Sequence, residues 1–559
     1  MNTKYLFSGV IAAALLGTAC TDELDVEKKG NLGDPSTYYT EGTEAETDAK
    51  AEAAIAMNYA QYNRIMPLMY ADLDNLSDDI FTGGGSSGDY NDYQLINAYS
   101  FGSDNPNIKR DYQFLYTVIY NSNLVIEYVT KNEKMTPVKN QCIAEAYFFR
   151  GVAHMYLATL WGDAPVVNHV LAPSECAVAN NTREEGFAQA ISDLQQAVSM
   201  NALPKKGNKS DVVKRVSQHA ALAYLGKAQL YAGKYADAAK SLGEVVNSNV
   251  YDLEPIENYE NLHQNRTADG PEVVFARYLD PTSTLPMSDW SDPQGVNCYY
   301  DEHVMWSWRN DGFVWAPVYG NPASKFGDME PGYAHGIPRA NLYESMEKWE
   351  KENGAANCER LHASMISYAD MVANGLVMDD KYVQFGCEGY WQWKRRFLTE
   401  EIIGYYGQGG WNVWINSQFR FMRYAEVLLM AAEAYLQSGN AGEAVKCLNV
   451  VRERAGETAL GSCTMDQIKN EKRFELCMEA VRFIDLVRWG DAASVLKEQG
   501  KQVPSFNGTT GEIKRDAAVH SGAGFVEGKH NLLPIPATEI LVNPNIKQNP
   551  GWTSAADGE

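Results

Sequence analysis

The chain has 559 residues, with 48 Lys and Arg against 72 Asp and Glu, for a formal net charge of −24 at pH 7. A surface this acidic excludes a nucleic-acid binder, which needs cations for phosphate, and disfavours charge-driven attachment to anionic lipid. Apolar residues make up 45%, which excludes a disordered acidic chain and allows a large core without disulfide support.

Residues 1–19 read as a targeting segment. Lys4 precedes an apolar run over residues 5–16, followed by the small residues Gly17, Thr18 and Ala19 and then Cys20. The run is too short to span a bilayer stably. A Cys directly after small residues resembles the lipobox of bacterial lipoproteins, although Gly17 stands where that pattern has Leu. The resemblance implies removal of the signal and acylation of Cys20, with the lipid as the membrane tether. Asp22, Glu23 and Asp25 follow at once, and they resemble the export signal of surface lipoproteins in Bacteroidota. No later stretch reaches about 18 consecutive apolar residues.

Residues 20–50 are polar and acidic and read as a flexible leader. Residues 51–249 form an N-terminal helical part. It is interrupted by a Gly-, Ser-, Asn- and Asp-rich loop at 82–110 and resumes at 112–129. Two later segments share a helix-pair period. In 216–247, Leu225, Gly226, Gly233, Tyr235, Ala238 and Leu242 fall on tetratricopeptide (TPR) positions. In 423–455, Tyr435, Gly439, Ala444 and Leu448 fall on the same offsets. A third unit is split into 142–160 and 184–200, and 51–130 reads as a degenerate fourth. Two clear units are too few for a pure solenoid.

Residues 250–420 differ in kind. They hold nine of the twelve Trp and many Gly, Pro and Asn, with helical fragments expected at 341–352 and 360–374. The C-terminal part, 421–559, returns to TPR-like helices and ends in an irregular tail from residue 500. The predicted fold class is mainly α: a TPR-like helical-hairpin frame with an inserted, irregular, loop-rich domain. Loops on a rigid scaffold are where binding residues concentrate.

No motif for chemistry finds its required context. Gly84-Gly85-Ser86-Ser87-Gly88 matches G-x-S-x-G, but Asp78, Asp79 and Gly83 precede it where a nucleophile elbow needs an apolar strand. Asp72, Asp74, Asp78 and Asp79 cluster, yet the calcium-loop template fails at Leu76, leaving a structural calcium without support. The nine His form no H-E-x-x-H, and the nine Cys form no C-x-x-C. No cofactor and no catalytic residue is expected.

The aromatic excess is the functional lead. Trp290, Tyr299, Tyr300, Trp306, Trp308 and Trp315 cluster in one stretch of the irregular region. Sugars present C–H faces that stack on flat rings, and aromatic side chains lose little rotamer entropy on binding. Arg309 and Asn310 lie among them and can bond hydroxyls. Burial is the commoner fate of any single Trp. Trp391 and Trp393, before Lys394-Arg395-Arg396, read as structural, as do Trp161, Trp489 and Trp552.

Several segments, in order, resemble the SusD/RagB family of outer-membrane nutrient-binding lipoproteins. They are AEAYFFRGVAHMYLATLWGDAPVV at 144–167, ALAYLGKAQLYAGKYADAAK at 221–240 and PEVVFA at 271–276. LNVVRERAG at 448–456, EKRFELCMEAVRFIDLVRWG at 471–490 and LLPIPATEILVNPNIKQNPGW at 532–552 complete the set. The resemblance implies a non-enzymatic glycan-binding protein, anchored by lipid on the outside of the outer membrane. Its implied partner is a TonB-dependent, SusC-like transporter, and its implied role is delivery of captured oligosaccharide. It also implies a ligand surface shared between the central region and the first inter-helix loop, which offers Asp79, Tyr90, Asn91 and Tyr93. The alternatives are a RagB-like peptide or protein binder for import and a secreted carbohydrate-active hydrolase.

Overall fold

The computed structural model describes residues 35–278, 313–314, 317–330, 332–379, 383–405, 413–415 and 417–553. Helix α1 spans Glu44–Asn75 and opens with a capping box, in which the Glu46 amide donates to Thr43 Oγ1 and the Thr43 amide donates to the Glu46 carboxylate. The helix continues through Pro67. Proline has no N–H for the carbonyl four residues earlier, here Asn63, and Arg277 Nη1 donates to that carbonyl at 3.1 Å. A residue that normally breaks a helix is accommodated because a distant segment satisfies the acceptor it orphans.

Helices α2 (Pro106–Leu124), α3 (Pro137–Leu160) and α4 (Arg183–Ser199) follow. Small residues set the α3–α4 approach. A Cβ on Gly151 would lie 2.8 Å from Leu194, and one on Gly186 would lie 3.1 Å from Ala158. A buried Arg150–Asp193 fork joins the same two helices at 2.6 and 2.9 Å. The expected TPR-like pairs are α5 (Gln218–Tyr231) with α6 (Tyr235–Asn247), and α7 (Tyr424–Gln437) with α8 (Ala441–Arg454). Gly233 and Gly439 make the two turns at φ +72° and +88°, a conformation that side-chain-bearing residues rarely adopt. Gly226 lets α6 close in, since a Cβ there would stand 2.5 Å from Leu242. Helix α9, Met465–Glu475, packs on this frame.

The chain leaves and re-enters the frame through one antiparallel pair. Val273–Arg277 lies beside Phe419–Arg423, with Val273 opposite Arg423 and Arg277 opposite Phe419. Both strands are buried throughout, and Phe275 and Phe421 join Tyr62, Phe148 and Phe149 in an aromatic cluster at this neck.

Between those strands the described residues form short two-stranded ribbons around a second core of Phe313, Phe326, Met329, Trp391, Trp393 and Phe506. The expected fragment at 341–352 is a helix, Ala340–Glu352. The one at 360–374 is divided: Glu359–Ser364 and Tyr368–Ala373 are helical, but Met365–Ser367 is a strand paired with Tyr390–Gln392. The tail beyond residue 500 is not wholly irregular. Gln502–Asn507 and Ile513–Ala517 form a hairpin that pairs with Val383–Phe385. Trp391, Trp393, Lys394, Arg395 and Arg396 are all buried. Trp161 and Trp552 are buried as well, and Trp489 donates to Glu433 at 3.0 Å, in keeping with packing roles.

Charge bolts the irregular region to the C-terminal helices. Arg360 is fully buried against Glu350, Glu457, Glu471 and Glu475. Arg423 pairs with Glu272, Glu475 and Glu479, and Lys394 pairs with Glu479. Burial alone would raise the Glu475 pKa, but Arg454, Arg423, Arg360 and Lys394 outweigh it and hold the carboxyl down to about 2.

Candidate functional site

The first inter-helix loop is tied into place from several sides. The strand Ile80–Phe81 pairs antiparallel with Ile337–Pro338. The Gly84 amide donates to the Ala334 carbonyl at 2.9 Å. Gln94 closes the loop on itself: its Oε1 accepts from the Gly88 amide, and its Nε2 donates to the Ser86 and Asp89 carbonyls. Gly83 is required where the loop meets 334–337, because a Cβ there would overlap Ala334 O and Ile337. The tip, residues 85–88, stays exposed.

Of the four loop residues expected to face a ligand, the structure keeps two at the surface. Asn91 is exposed and Tyr90 is half-buried. Asp79 is a correction. It is 1% exposed, and Arg473 donates to its Oδ1 from Nε at 2.8 Å and from Nη2 at 2.6 Å. Its neighbour Asp78 takes Arg482 at 2.8 Å and Arg473 at 3.2 Å. These carboxylates anchor the loop to the C-terminal helices and are spent on that task. Tyr93 is the second correction: it is 5% exposed, in a cluster with Ile80, Leu342, Tyr343 and Met478. The short helix Asn91–Asn97 turns it inward while leaving Asn91 outward.

The other two acids of the Asp cluster are also engaged. Asp72 pairs with Arg110, and Asp74 Oδ1 accepts from the Ala480 amide at 2.7 Å. Among the described residues no group of three or more His, Cys, Asp or Glu is disposed to hold a metal ion. Ser86 Oγ donates to the Ser87 carbonyl at 3.4 Å, and among the described residues no base hydrogen-bonds its hydroxyl, so the G-x-S-x-G match is a surface turn.

Trp290, Tyr299, Tyr300, Trp306, Trp308, Arg309, Asn310 and Trp315 lie outside the described residues, as does Cys20. The structure adds two aromatic residues that sequence reasoning missed. Tyr90, at φ +52°, lays its ring on His335 with centroids 4.0 Å apart, and Tyr333 lies 5.9 Å beyond His335. Tyr90, His335 and Tyr333 thus form an aromatic strip beside the exposed loop tip, with the two Tyr rings half-exposed and His335 buried between them. The signal in the sequence is Pro331-Gly332-Tyr333-Ala334-His335-Gly336, aromatics set among turn residues, which apolar periodicity does not pick out.

The architecture is that of a helical-repeat scaffold with a loop-rich region built upon it. Residues 343–552 match the SusD family, and residues 39–230 match a family described as starch-binding associating with outer membrane. The two matches together take in well over half of the chain, and the chain belongs to the SusD family. It is 25% identical to SusD-like protein P2 of Formosa agariphila, over 98% of this chain and 100% of the relative. It is 24% identical to a SusD-like protein of Bacteroides ovatus, over 98% of each. Among solved structures it resembles a laminarin binding SusD-like protein, with a TM-score of 0.72 and 24% identity, over 90% of this chain and 99% of that one. It also resembles surface glycan-binding protein A from Bacteroides thetaiotaomicron in complex with laminarihexaose, with a TM-score of 0.70 and 20% identity, over 90% and 99%. No helix among the described residues is long and apolar enough to cross a membrane.

Proposed function

We propose that this protein captures glycans at the outer face of the outer membrane, held there by a lipid on Cys20, and passes them to a TonB-dependent, SusC-like transporter. The observation that carries the reading is full-length similarity to SusD-like proteins, on a fold shared with structures described as laminarin-binding and laminarihexaose-bound. The mechanism is capture without bond-breaking. Aromatic faces stack on pyranose C–H faces, and polar groups fix the orientation by bonding hydroxyls. Trp290, Tyr299, Tyr300, Trp306, Trp308, Arg309 and Trp315 are the proposed binding set, joined by Tyr90 and Asn91 from the loop. Tyr333 extends the same strip through His335.

Polysaccharide affinity electrophoresis and a combined glycan and peptide array test the reading. Joint replacement of Trp306, Trp308 and Trp315 by Ala abolishes retention while helical circular dichroism is kept. Tyr90→Ala weakens retention about tenfold, since one stacked ring contributes about 1–1.5 kcal/mol. Unchanged retention in both variants sinks the aromatic site. Binding confined to peptides replaces the glycan reading with peptide import, and release of shortened glycan by pure protein replaces it with hydrolysis. Cys20→Ala moves the protein from the membrane to the soluble fraction, and continued membrane association defeats the lipid anchor.

A further inference from the structure

A cavity of about 610 Å³, with no residue of the first loop in its lining, lies where three separate segments meet. Its charged lining is Glu260 and Arg266 from the connection leaving the frame, Lys325 and Asp328 from the 320–328 loop, and Arg396 beyond Trp393. That volume falls within the usual range for small-ligand sites. The lining carries three cations and two acids, and a third acid, Glu400, reaches it through Arg266.

The cations are unequally matched. Arg266 is neutralised, bonding Asp328 at 2.7 Å and Glu400 at 2.8 Å. Arg396 is 3% exposed, yet its nearest carboxylate among the described residues, Glu260, stands 4.0 Å away. Its hydrogen bonds go instead to the Glu260 and Trp393 carbonyls and to Asn261. Burial outweighs its carboxylate neighbours and lowers its pKa to about 10, the mark of an under-compensated charge. Lys325 holds its ammonium 4.6 Å from the centroid of the Trp393 ring, and Arg396 sits over the same ring at 4.3 Å. Among the described residues Lys325 has no carboxylate within ion-pair distance. The Trp393 indole donates to one Glu260 oxygen at 2.9 Å, which leaves the other Glu260 oxygen to accept, along with the second oxygen of Asp328.

We infer that this cavity is a second saccharide subsite, selective for a sugar unit that carries an anionic group, a carboxylate or a sulfate ester. Lys325 and Arg396 receive the anion, and the free oxygens of Glu260 and Asp328 accept sugar hydroxyl donors. A neutral sugar leaves the two cations unanswered, and a simple anion leaves the two carboxylate oxygens unanswered. The inference rests on the glycan-capture reading for its ligand class, and on the cavity alone for the charge preference.

Titration calorimetry on the full chain tests it with four probes: trigalacturonate, its methyl ester, a sulfated galactose oligomer and neutral laminarihexaose. The acidic probes bind about tenfold or more tighter than the ester, with affinity falling as salt rises. Lys325→Met cuts acidic-probe affinity about fivefold to tenfold and flattens the salt dependence, while laminarihexaose binding is unchanged. Lys325→Arg restores the acidic-probe affinity. The stronger of the two acidic arms identifies the anion. Equal binding of trigalacturonate and its ester, or unchanged acidic-probe affinity in Lys325→Met, overturns the subsite. Laminarihexaose binding with no acidic-probe binding removes this inference alone. Failure of every saccharide, on the array as well as here, removes the glycan reading with it.

Discussion

The frame and the loop-rich region hold together by different means. In the frame, buried apolar side chains recur at helical spacing and small residues set the approach, as with Gly226 against Leu242 and Gly151 against Leu194. In the loop-rich region the ribbon strands are two to four residues long and too short to be stable alone. They are fixed by a small aromatic core and by buried charges, with Arg360 ringed by four Glu and Lys394 and Arg423 sharing Glu479. The frame rests chiefly on buried apolar area, which degrades gradually, with buried pairs such as Arg150–Asp193 added to it. The loop-rich region depends on single residues whose loss leaves opposite charges stranded.

The sharpest way to break that contrast is Arg360→Met. It leaves Glu350, Glu457, Glu471 and Glu475 buried without their shared cation, at a cost of about 3–5 kcal/mol, read as a lower denaturant midpoint. A shift below about 1 kcal/mol would show that the charges do not hold the region.

Next comes a pH test within the frame. Burial lowers the His154 pKa to about 4, against opposition from Asp193. Its Nδ1 lies 3.1 Å from the Arg150 carbonyl, and its Nε2 accepts from the Val167 amide. A histidine with a depressed folded pKa contributes stability above its ordinary value of 6.5, and that stability is lost as pH falls toward 4. The wild-type chain therefore loses up to about 3 kcal/mol relative to His154→Gln between pH 6.5 and 4. Parallel stability curves for the two proteins over that window would refute the buried neutral imidazole.

A smaller effect is expected at Gly226→Ala, about 1–2 kcal/mol, because the new methyl displaces Leu242 while regaining helix propensity. A stabilised variant would mean that α5 and α6 are not close-packed there. Smallest is Ser86→Ala, within about 0.5 kcal/mol of wild type in stability and without effect on glycan retention. A large loss of either would return Ser86 to consideration as a functional group.

The frame was legible because its signals are local. Gly233 and Gly439 mark turns, and Ala238, Leu242, Ala444 and Leu448 repeat at one helical face. Each hairpin follows from about 30 consecutive residues. The loop-rich region was legible only as composition. The divided helix at Met365–Ser367 and the hairpin after residue 500 depend on pairing with segments far along the chain, which no local window contains.

The site divides the same way. Asn91 and Tyr90 remained surface candidates, but Asp79 was misread because its partner Arg473 is 394 positions away. In sequence a carboxylate committed to a distant Arg looks the same as one free for a ligand. Tyr333 and His335 were missed for the converse reason. The pairing of Ile80–Phe81 with Ile337–Pro338 brings His335 against Tyr90, with Tyr333 beyond it.

The sequence by itself determined the family, the helical-hairpin frame and the place of the aromatic excess, since periodicity, turn residues and composition are properties of short stretches. Tertiary structure alone decided which charges are structural and which groups converge on the cavity between Glu260, Lys325 and Arg396. The reason is physical: burial and charge pairing are set by groups brought together from opposite ends of the chain, and a carboxylate or guanidinium has no fixed role until its partner is in place.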